Sequence, residues 1–219
     1  MNKHLKYYSQ SGQDCYVNEI VFKQRKEGFF LDIGANDGIT YSNTYFFEKE
    51  LNWSGICIEP HPSVFEKLSN NRKSILLNKC ISDQIGQVDF LRIDGYAEML
   101  SGVYMKYDQR HMERIKKELK EFGGNSEIIT VESLTISKLL SEYSIRKIDF
   151  CSIDTEGGEF EILKQFDLNT IAVQCFSIEN NYNDNRVRDY LQEKKYKLIN
   201  SLDADEIYLK RAKKFYFWW

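Results

Sequence analysis

The sequence predicts an α/β sandwich, in which a mostly parallel sheet carries helices on both faces and an antiparallel hairpin at its C-terminal edge. Short apolar runs alternate along the chain with longer amphipathic segments, the pattern of strands joined by helical crossovers. Several of these runs are apolar throughout, as expected of central strands that are covered on both faces. The 219 residues contain no internal repeat and no linker, and they suffice for a single Rossmann-like domain spanning 1–219.

The first third of the chain predicts two complete strand–helix units. Apolar residues at helical spacing predict an opening helix over 13–26. The apolar run that begins at Phe29 ends in a glycine-rich turn, as a central parallel strand does. A helix over 42–51 follows, and then a strand over 55–59 that a proline stops. A second proline suits the first turn of the next helix, over 62–70.

The middle third interrupts this regular alternation. Residues 75–80 predict a third strand of the sheet, and residues 88–93 predict a fourth strand at its edge. A loop rich in Gly, Ser and Tyr then leads into a charged amphipathic helix over 109–122, which ends at two glycines. We interpret residues 94–127 as an insertion or lid, followed by a short strand over 128–131.

The last third returns to alternating helices and strands and closes in a hairpin that adds an antiparallel edge to the sheet. The predicted helices here are residues 135–143, 158–165 and 185–195. The predicted strands are residues 147–153, 171–179, 196–201 and 206–210.

The composition excludes several classes of protein. Hydrophobic residues make up 42% and aromatic residues 14% of the chain, which is enough to build a core and excludes intrinsic disorder. Thirty Lys and Arg residues against 33 Asp and Glu residues give a net charge of −3. This balance argues against a protein whose main task is to bind nucleic acid.

Targeting signals and cysteine usage predict a cytoplasmic protein. The sequence has no run of about 18 apolar residues, so no transmembrane segment is expected, and no apolar signal region at its start. The five cysteines show neither a CxxC pair nor a zinc-ligand spacing. Four of them fall in predicted strands, where we expect reduced thiols that behave as small apolar side chains.

The turn after the first strand carries two glycines, Gly34 and Gly38, and two acids, Asp32 and Asp37. Its GxxxG spacing differs from the GxGxxG of dinucleotide sites, where two carboxylates would repel a pyrophosphate. A ligand that carries an ammonium and a sulfonium group is compatible with both acids. S-adenosylmethionine carries both cations.

A second acid strengthens this interpretation. Glu59 closes the next strand, 21 residues after Gly38. A Rossmann-like domain places a carboxylate for the ribose hydroxyls at this point. Either feature alone is also compatible with an ordinary turn and a solvated acid. Together, at two successive strand ends, they predict a nucleoside site.

Several blocks of the sequence resemble the FkbM family of S-adenosylmethionine-dependent methyltransferases. In chain order they are YYSQSGQD, FLDIGANDGITYSNT, WSGICIEPHPSVFEKL, IDFCSIDTEGGEFEIL and SIENNYNDNRVRDYL, and they cover most of the chain. The resemblance implies a class I methyltransferase fold with S-adenosyl-L-methionine as cofactor and S-adenosyl-L-homocysteine as product. It also implies O-methylation of a sugar, glycan or natural-product hydroxyl.

The resemblance assigns the cofactor residues block by block. The cofactor motif with its flanking positions matches Asp32, Gly34, Ala35, Asn36, Asp37, Gly38 and Asn43. The remaining assignments are Glu59 with Pro60 at the ribose, Ser82 with Asp83 at the adenine, and Gln13 at the methionine end.

The chain departs from the family pattern at two places. It has Glu179-Asn180-Asn181 where many relatives have Glu-His-Asn, so a histidine base is missing there. The block after residue 153 has an extra glycine at Gly157-Gly158.

Three carboxylates are predicted to act on the acceptor. Asp154 and Glu156 follow the strand over 147–153, and Glu179 ends its neighbour, so we expect all three at one edge of the sheet. We assign Asp154 as general base or cofactor-end ligand, and Glu156 and Glu179 as substrate or base partners. In the alternative interpretation Glu156 caps the following helix. Mg²⁺ binding by the three acids stays open, because no ligand spacing demands a metal and none is assigned.

The insertion and the histidines carry weaker signals. His111 begins the charged helix, where we expect a solvated side chain, with a base carried on a lid as the alternative. His4 and His61 carry little functional signal. The insertion also places Tyr96, Tyr104, Tyr107 and Arg110 where they would stack on a sugar or simply pack on the surface.

The acceptor is predicted to be a small molecule or a glycan. The first alternative is the ribose 2′-hydroxyl of an RNA cap, which the low net charge disfavours. The second is a non-catalytic module that binds S-adenosylmethionine or supports a partner. The basic and then aromatic C-terminus, ending in residues 215–219, is typical of a frayed tail or of a contact within a homo-oligomer, with an anionic membrane surface as the alternative.

Overall fold

The computed structural model describes residues 5–211 of the chain. His4 and the basic, aromatic end of the C-terminus lie outside these described residues. The strands within them are β1 (Phe29–Ile33), β2 (Ser54–Ile58), β3 (Ile75–Leu77), β4 (Cys80–Ile81), β5 (Gly86–Asp94), β6 (Gly102–Val103), β7 (Asn125–Leu134), β8 (Lys147–Ile153), β9 (Ala172–Glu179), β10 (Tyr196–Leu202) and β11 (Asp205–Lys210). The α-helices are α1 (Gln13–Tyr16), α2 (Tyr45–Leu51), α3 (Pro62–Asn71), α4 (Gln109–Phe122), α5 (Ile136–Glu142), α6 (Glu159–Leu163) and α7 (Asn185–Glu193).

The main sheet has seven strands in the spatial order β3-β2-β1-β8-β9-β11-β10. The first five pair in parallel, whereas β11 runs antiparallel to both β9 and β10. The predicted Rossmann-like α/β fold with an antiparallel C-terminal edge hairpin is therefore confirmed. Strands β1 to β3 are added toward one edge of the sheet, and the later strands, beginning with β8, are added toward the other. The carboxyl ends of β1 and β8 are therefore neighbours at the point where the order reverses, which is the expected ligand site.

A second sheet, in the order β4-β7-β5-β6, was not predicted. The prediction of a single strand over 75–80 is wrong, because β3 ends at Leu77. The side-chain amide of Asn78 donates a hydrogen bond to the Glu59 carbonyl (2.8 Å), and the chain then leaves the main sheet. The strand expected over 88–93 is longer and pairs with β7 along its whole length, so it is no edge of the main sheet. Short strands with apolar alternation do not show which sheet they will join.

The opening helix is shorter than the predicted 13–26. After α1 the chain continues as one π-helical stretch, Val17–Phe22, and then stops. Lys23 and Gln24 adopt positive φ angles of 50° and 60°, which no helix accommodates. The turn lets the Trp53 indole donate a hydrogen bond to the Arg25 carbonyl (2.9 Å) and close the core at this end.

The two faces of β1 show how the main sheet is covered. Leu31 and Ile33 point into a core shared with α5 and α6, whereas Phe30 points into a core shared with α2 and the N-terminal helix. The described cysteines are all free, and four of the five are buried, as the sequence predicts. No helix within residues 5–211 combines the length and the apolar character needed to cross a membrane.

Arg72, at the end of α3, is a fully buried cation that holds the region after β1. Its guanidinium donates to Glu48 Oε2 (2.9 Å), to the Gly38 carbonyl (3.1 Å) and to Thr44 Oγ1 (3.0 Å). Asp32 Oδ2 lies 3.9 Å away. The fold thus buries one positive charge among two acids and the backbone of the glycine turn.

Replacing Arg72 with methionine should destabilise the fold by about 3–5 kcal/mol, because Glu48 and Asp32 then stay buried without their cation. Urea unfolding of wild type and variant measures this difference. Arg92→Met is the matched control, since its ion pair with Glu127 lies on the surface and should change stability by less than about 1 kcal/mol. Equal effects of the two substitutions would contradict the role of Arg72.

Candidate active site

A cavity of about 760 Å³ lies at the carboxyl ends of the parallel strands, where the second sheet and α4 face the main sheet. Its walls include the turn after β1, the end of β2, the loop after β8 and the end of β9. This is the position at which open α/β sheets bind their ligands.

The glycine turn after β1 leaves no room for a side chain at Gly34. Gly34 has a φ of 86°, and a Cβ built there would lie 1.7 Å from the Asp154 carbonyl oxygen. Only glycine therefore lets the turn after β1 lie directly against the end of β8. Gly34 and Asn36 line the cavity, whereas Ala35 is buried in the core.

The two acids of this turn point away from the cavity. Asp32 is buried and accepts a hydrogen bond from Thr44 Oγ1 (2.5 Å). Asp37 accepts hydrogen bonds from the amides of Ile39 (2.8 Å) and Thr40 (2.7 Å) within its own turn. The Asp32 and Asp37 carboxylates therefore support the turn, and a Cβ on Gly38 would clash with the Arg72 side chain.

Glu59, at the end of β2, is one of the predicted residues that the structure brings to the cavity. Its carboxylate accepts hydrogen bonds from the backbone amides of Asn36 (2.9 Å) and His61 (2.8 Å). Burial nevertheless raises its pKa from 4.5 to about 7. Pro60 lines the cavity beside it.

Ser82 and Asp83 line the cavity beyond Glu59, near the second sheet. The Ser82 hydroxyl is 2.5 Å from Ser133 Oγ and donates to the Gln84 carbonyl (3.0 Å). Asp83 forms an exposed ion pair with Lys106 (3.3 Å). The pair joins the loop after β4 to the insertion.

Gln13 and Asn43 reach the cavity from the N-terminal segment and the loop before α2. Gln13 Nε2 donates to Asp205 Oδ2 (2.6 Å), and Asn43 Nδ2 donates to Ser152 Oγ (3.0 Å). Burial raises the pKa of Asp205 to about 6. Asp205 was not predicted as a site residue; its only signal in the sequence is an acid at the tip of the predicted terminal hairpin.

Asp154, Glu156 and Glu179 come together as the sequence predicts. One carboxylate oxygen of each lies within 4.8 Å of the corresponding oxygen of the other two. We call these three residues the acid cluster. Burial first, and then repulsion between the neighbouring carboxylates, raises the pKa of Asp154 and of Glu179 well above their ordinary values. Burial likewise raises the pKa of Glu156 to about 7.

The loop after β8, which carries Asp154 and Glu156, is held in place by the Glu159 side chain. Glu159 Oε1 accepts hydrogen bonds from the amides of Thr155 (3.1 Å) and Gly157 (2.8 Å). Glu156 therefore does not cap α6; it adopts a φ of 57° and directs its side chain toward α4. The capping interpretation of Glu156 is wrong, because Gly158 is the N-cap residue of α6 and no side chain among the described residues accepts a hydrogen bond from its first turn.

The expectation of a solvated His111 is also wrong. Its side chain is 1% exposed, stacks on the Tyr107 ring (centroids 4.7 Å apart) and places Nδ1 3.5 Å from Glu156 Oε2. Nε2 faces the Leu100 carbonyl at 3.3 Å, and desolvation lowers the pKa of the imidazole. Spacing could have shown this burial, since His111 and Ile115 lie one turn apart on the buried face of α4.

The other candidates in the insertion divide between the cavity and the surface. Tyr96 lines the cavity and packs against Phe122, with the ring centroids 4.1 Å apart and the planes tilted by 32°. Arg110 lies 4.1 Å over the Tyr182 ring and so ties α4 to the loop after β9. His61, which carried little functional signal, is buried and lines the cavity.

Negative charge dominates the cavity walls. Among the described residues that line it, carboxylates outnumber lysines and arginines by eleven to four. Such walls attract a cationic ligand and oppose a polyanion.

Comparison with known proteins gives one strong match. The family model described as "Methyltransferase FkbM domain" matches residues 32–198, which is most of the chain. No curated protein matches the sequence.

Solved structures of methyltransferases are similar to the chain at low identity. The METTL16 methyltransferase domain is 12% identical with a TM-score of 0.43, over 90% of this chain and 78% of that chain. TrmK from M. capricolum, solved with S-adenosyl-homocysteine, is 10% identical with a TM-score of 0.43, over 94% and 68%. A methyltransferase from Pyrococcus furiosus is 11% identical with a TM-score of 0.40, over 95% and 89%. We draw no inference about substrate from these values.

The sheet order, the glycine turn and the acid at the end of β2 define a Rossmann-like methyltransferase. The chain belongs to the FkbM methyltransferase family. It is an S-adenosylmethionine-dependent enzyme, as its motifs predict.

Replacing Glu59 with glutamine should flatten the pH dependence of stability. A carboxyl whose folded-state pKa is about 7 stabilises the fold below its ordinary pKa of 4.5 and loses that contribution as the pH rises through 7. Between about pH 5 and about pH 8 we expect wild type to lose roughly 2–3 kcal/mol more than Glu59→Gln. Urea unfolding across this range measures both slopes, and identical slopes would contradict the raised pKa.

Proposed function

We propose that the chain is an O-methyltransferase that acts on a hydroxyl of a sugar, glycan or related small molecule. The observation that carries the proposal is the contact between Gly34 and the Asp154 carbonyl, which sets the acid cluster beside the glycine turn. In this proposal residues 1–219 form a single methyltransferase domain, and residues 94–127 are the insertion that covers the acceptor side.

The residues around the cavity suit the methyl donor. Backbone groups of Gly34 and Asn36 would hold its methionine part from one side, and Gln13 and Asn43 from the other. Glu59 would accept hydrogen bonds from the ribose hydroxyls. We place Ser82, Asp83 and Pro60 around the adenosine, and we assign Asp32, Ala35, Asp37 and Gly38 to support of the turn.

The carboxylates of the acid cluster supply the acid–base chemistry. When bound, S-adenosylmethionine supplies an electrophilic methyl group on a sulfonium and leaves as S-adenosylhomocysteine. Asp154 accepts the proton that the acceptor hydroxyl loses as its oxygen forms the new bond to the methyl carbon. Glu156 and Glu179 bind the neighbouring hydroxyls and hold the reacting oxygen in line. The pKa of Glu156, which burial raises to about 7, suits proton exchange with a bound hydroxyl near neutral pH.

The charge of the cavity favours a neutral or cationic acceptor over RNA. An RNA cap carries several phosphates, and the acidic walls would repel them. A glycan presents hydroxyls that carboxylates bind well, and the Tyr96–Phe122 pair at the cavity offers an apolar surface for a sugar ring.

Titration with S-adenosylhomocysteine tests the cofactor half. We expect native protein to bind it and Glu59→Gln to bind it more weakly by about 1–3 kcal/mol, the cost of losing a charge-assisted hydrogen bond. Asp37→Asn is the matched control, because that carboxylate lies in its own turn and the amide can keep the same bonds. Equal weakening by both substitutions would contradict the ribose assignment.

Asp154→Asn tests the acceptor half. The variant should bind S-adenosylhomocysteine nearly as well as wild type and should lose about 10²–10⁴-fold in methyl transfer to hydroxylated sugars and glycans, because a proton acceptor is missing. Calorimetry and transfer of a radiolabelled methyl group measure the two effects. Parallel losses in both would make Asp154 a cofactor ligand. Binding by native protein without transfer to any acceptor would favour the non-catalytic module.

A further inference from the structure

We propose that the acid cluster of Asp154, Glu156 and Glu179 binds one hard divalent cation at the edge of the methyl-donor site. The proposal rests on the proposed function for its role, but its geometry stands on the cluster itself. The cation would be of the Mg²⁺, Mn²⁺ or Ca²⁺ class, because the cluster offers only carboxylate oxygens.

The spacing of the cluster suits a single ion. One oxygen from each carboxylate lies within 4.8 Å of the other two. Oxygens on opposite sides of an ion with bond lengths of about 2.3–2.6 Å are about 4.6–5.2 Å apart, so three such oxygens fit around one centre. The open side of the cavity leaves room for water and for an acceptor hydroxyl to complete the coordination.

An independent observation comes from α4. The His111 side chain is 99% buried, and its Nδ1 has no hydrogen-bond partner among the described residues. That atom is aimed at the cluster, 3.5 Å from Glu156 Oε2, which is itself buried without a hydrogen-bond partner. Nδ1 of His111 thus lies behind Glu156, where an N–H donor would hold a metal-binding carboxylate in place.

The balance of charge also calls for a cation. In the part of the chain that the structure describes, none of the three carboxylates forms an ion pair with a lysine or an arginine. The nearby Arg114 is paired with Glu118 (2.9 Å), and its charge lowers the pKa of Glu156 without forming an ion pair with it. The three carboxylates, with one histidine beside them, repel one another when they are ionised, and a divalent ion would offset that repulsion.

A cation at this position has a direct use in O-methylation. A divalent ion beside the methyl donor would bind the acceptor oxygen, lower the pKa of its hydroxyl and hold it in line, and the proton would pass to the Asp154 carboxylate oxygen that does not bind the ion. It would also give the cavity a preference for acceptors with two adjacent oxygens, such as the vicinal hydroxyls of a sugar.

Electron paramagnetic resonance of Mn²⁺ tests the site on the native chain. Protein freed of metal with EDTA and then dialysed is titrated with Mn²⁺, with and without S-adenosylhomocysteine, and the signal of the free ion is followed. We expect loss of the free-ion signal with one site per chain, and competition by excess Mg²⁺ or Ca²⁺. A free-ion signal that is unchanged up to about millimolar Mn²⁺ would overturn the proposal.

Variants locate the ion. Glu156→Gln and Glu179→Gln should each weaken Mn²⁺ binding at least about tenfold, and His111→Gln should weaken it about tenfold through the lost support of Glu156. Glu161→Gln is the matched control, because Glu161 lines the same cavity outside the cluster and should leave Mn²⁺ binding unchanged. Far-ultraviolet circular dichroism verifies that each variant is folded. Unchanged binding in both folded cluster variants would overturn the assignment to the cluster.

Titration with S-adenosylhomocysteine in EDTA separates this proposal from the proposed function. Cofactor binding without any Mn²⁺ site would leave the methyltransferase intact and make the cluster a set of carboxylates that share protons. Mn²⁺ binding without cofactor binding would support the ion site and contradict its place in methyl transfer.

Discussion

The buried guanidinium of Arg72 is the interaction on which the cofactor side of the fold depends. Taking a charged group out of water costs several kcal/mol unless it is fully paired. Arg72 meets this demand with Glu48, Thr44 and the Gly38 carbonyl, and Asp32 adds a second negative charge nearby. These partners come from β1, the glycine turn and α2, so one cation fixes all three relative to α3. The turn is therefore held in shape before any ligand arrives.

The acceptor side depends on a steric constraint instead. Because Gly34 has no side chain, the turn after β1 lies against the Asp154 carbonyl, and two neighbouring strand ends share one small space. The acid cluster is then completed by Glu179 from the next strand. Helix α4 lies between β6 and β7 of the second sheet in the chain, and its His111 contacts Glu156 of the cluster from the opposite side. Burial of several carboxylates in this space explains why their pKa values rise together.

The cofactor side and the acceptor side of the cavity have different roles in a methyltransferase. Fold and cofactor motif are shared across a family, whereas the acceptor is chosen by the residues that surround it. We propose that here those residues are the acid cluster, the second sheet and α4. In the proposed function, the acidic walls and the aromatic pair Tyr96–Phe122 favour a hydroxylated, uncharged acceptor over a nucleic acid.

The sequence by itself determined the parallel sheet, the terminal hairpin, α4 to the residue, the glycine turn, Glu59 and the acid cluster. These features follow from apolar runs, glycine positions and acids at strand ends, all of which are local patterns. Tertiary structure alone decided that β4 to β7 form a separate sheet, because strand pairing depends on residues distant in sequence. It also turned Asp32 and Asp37 away from the cavity and buried His111 against Glu156. A side chain's direction and partners depend on packing between elements, which no local pattern records.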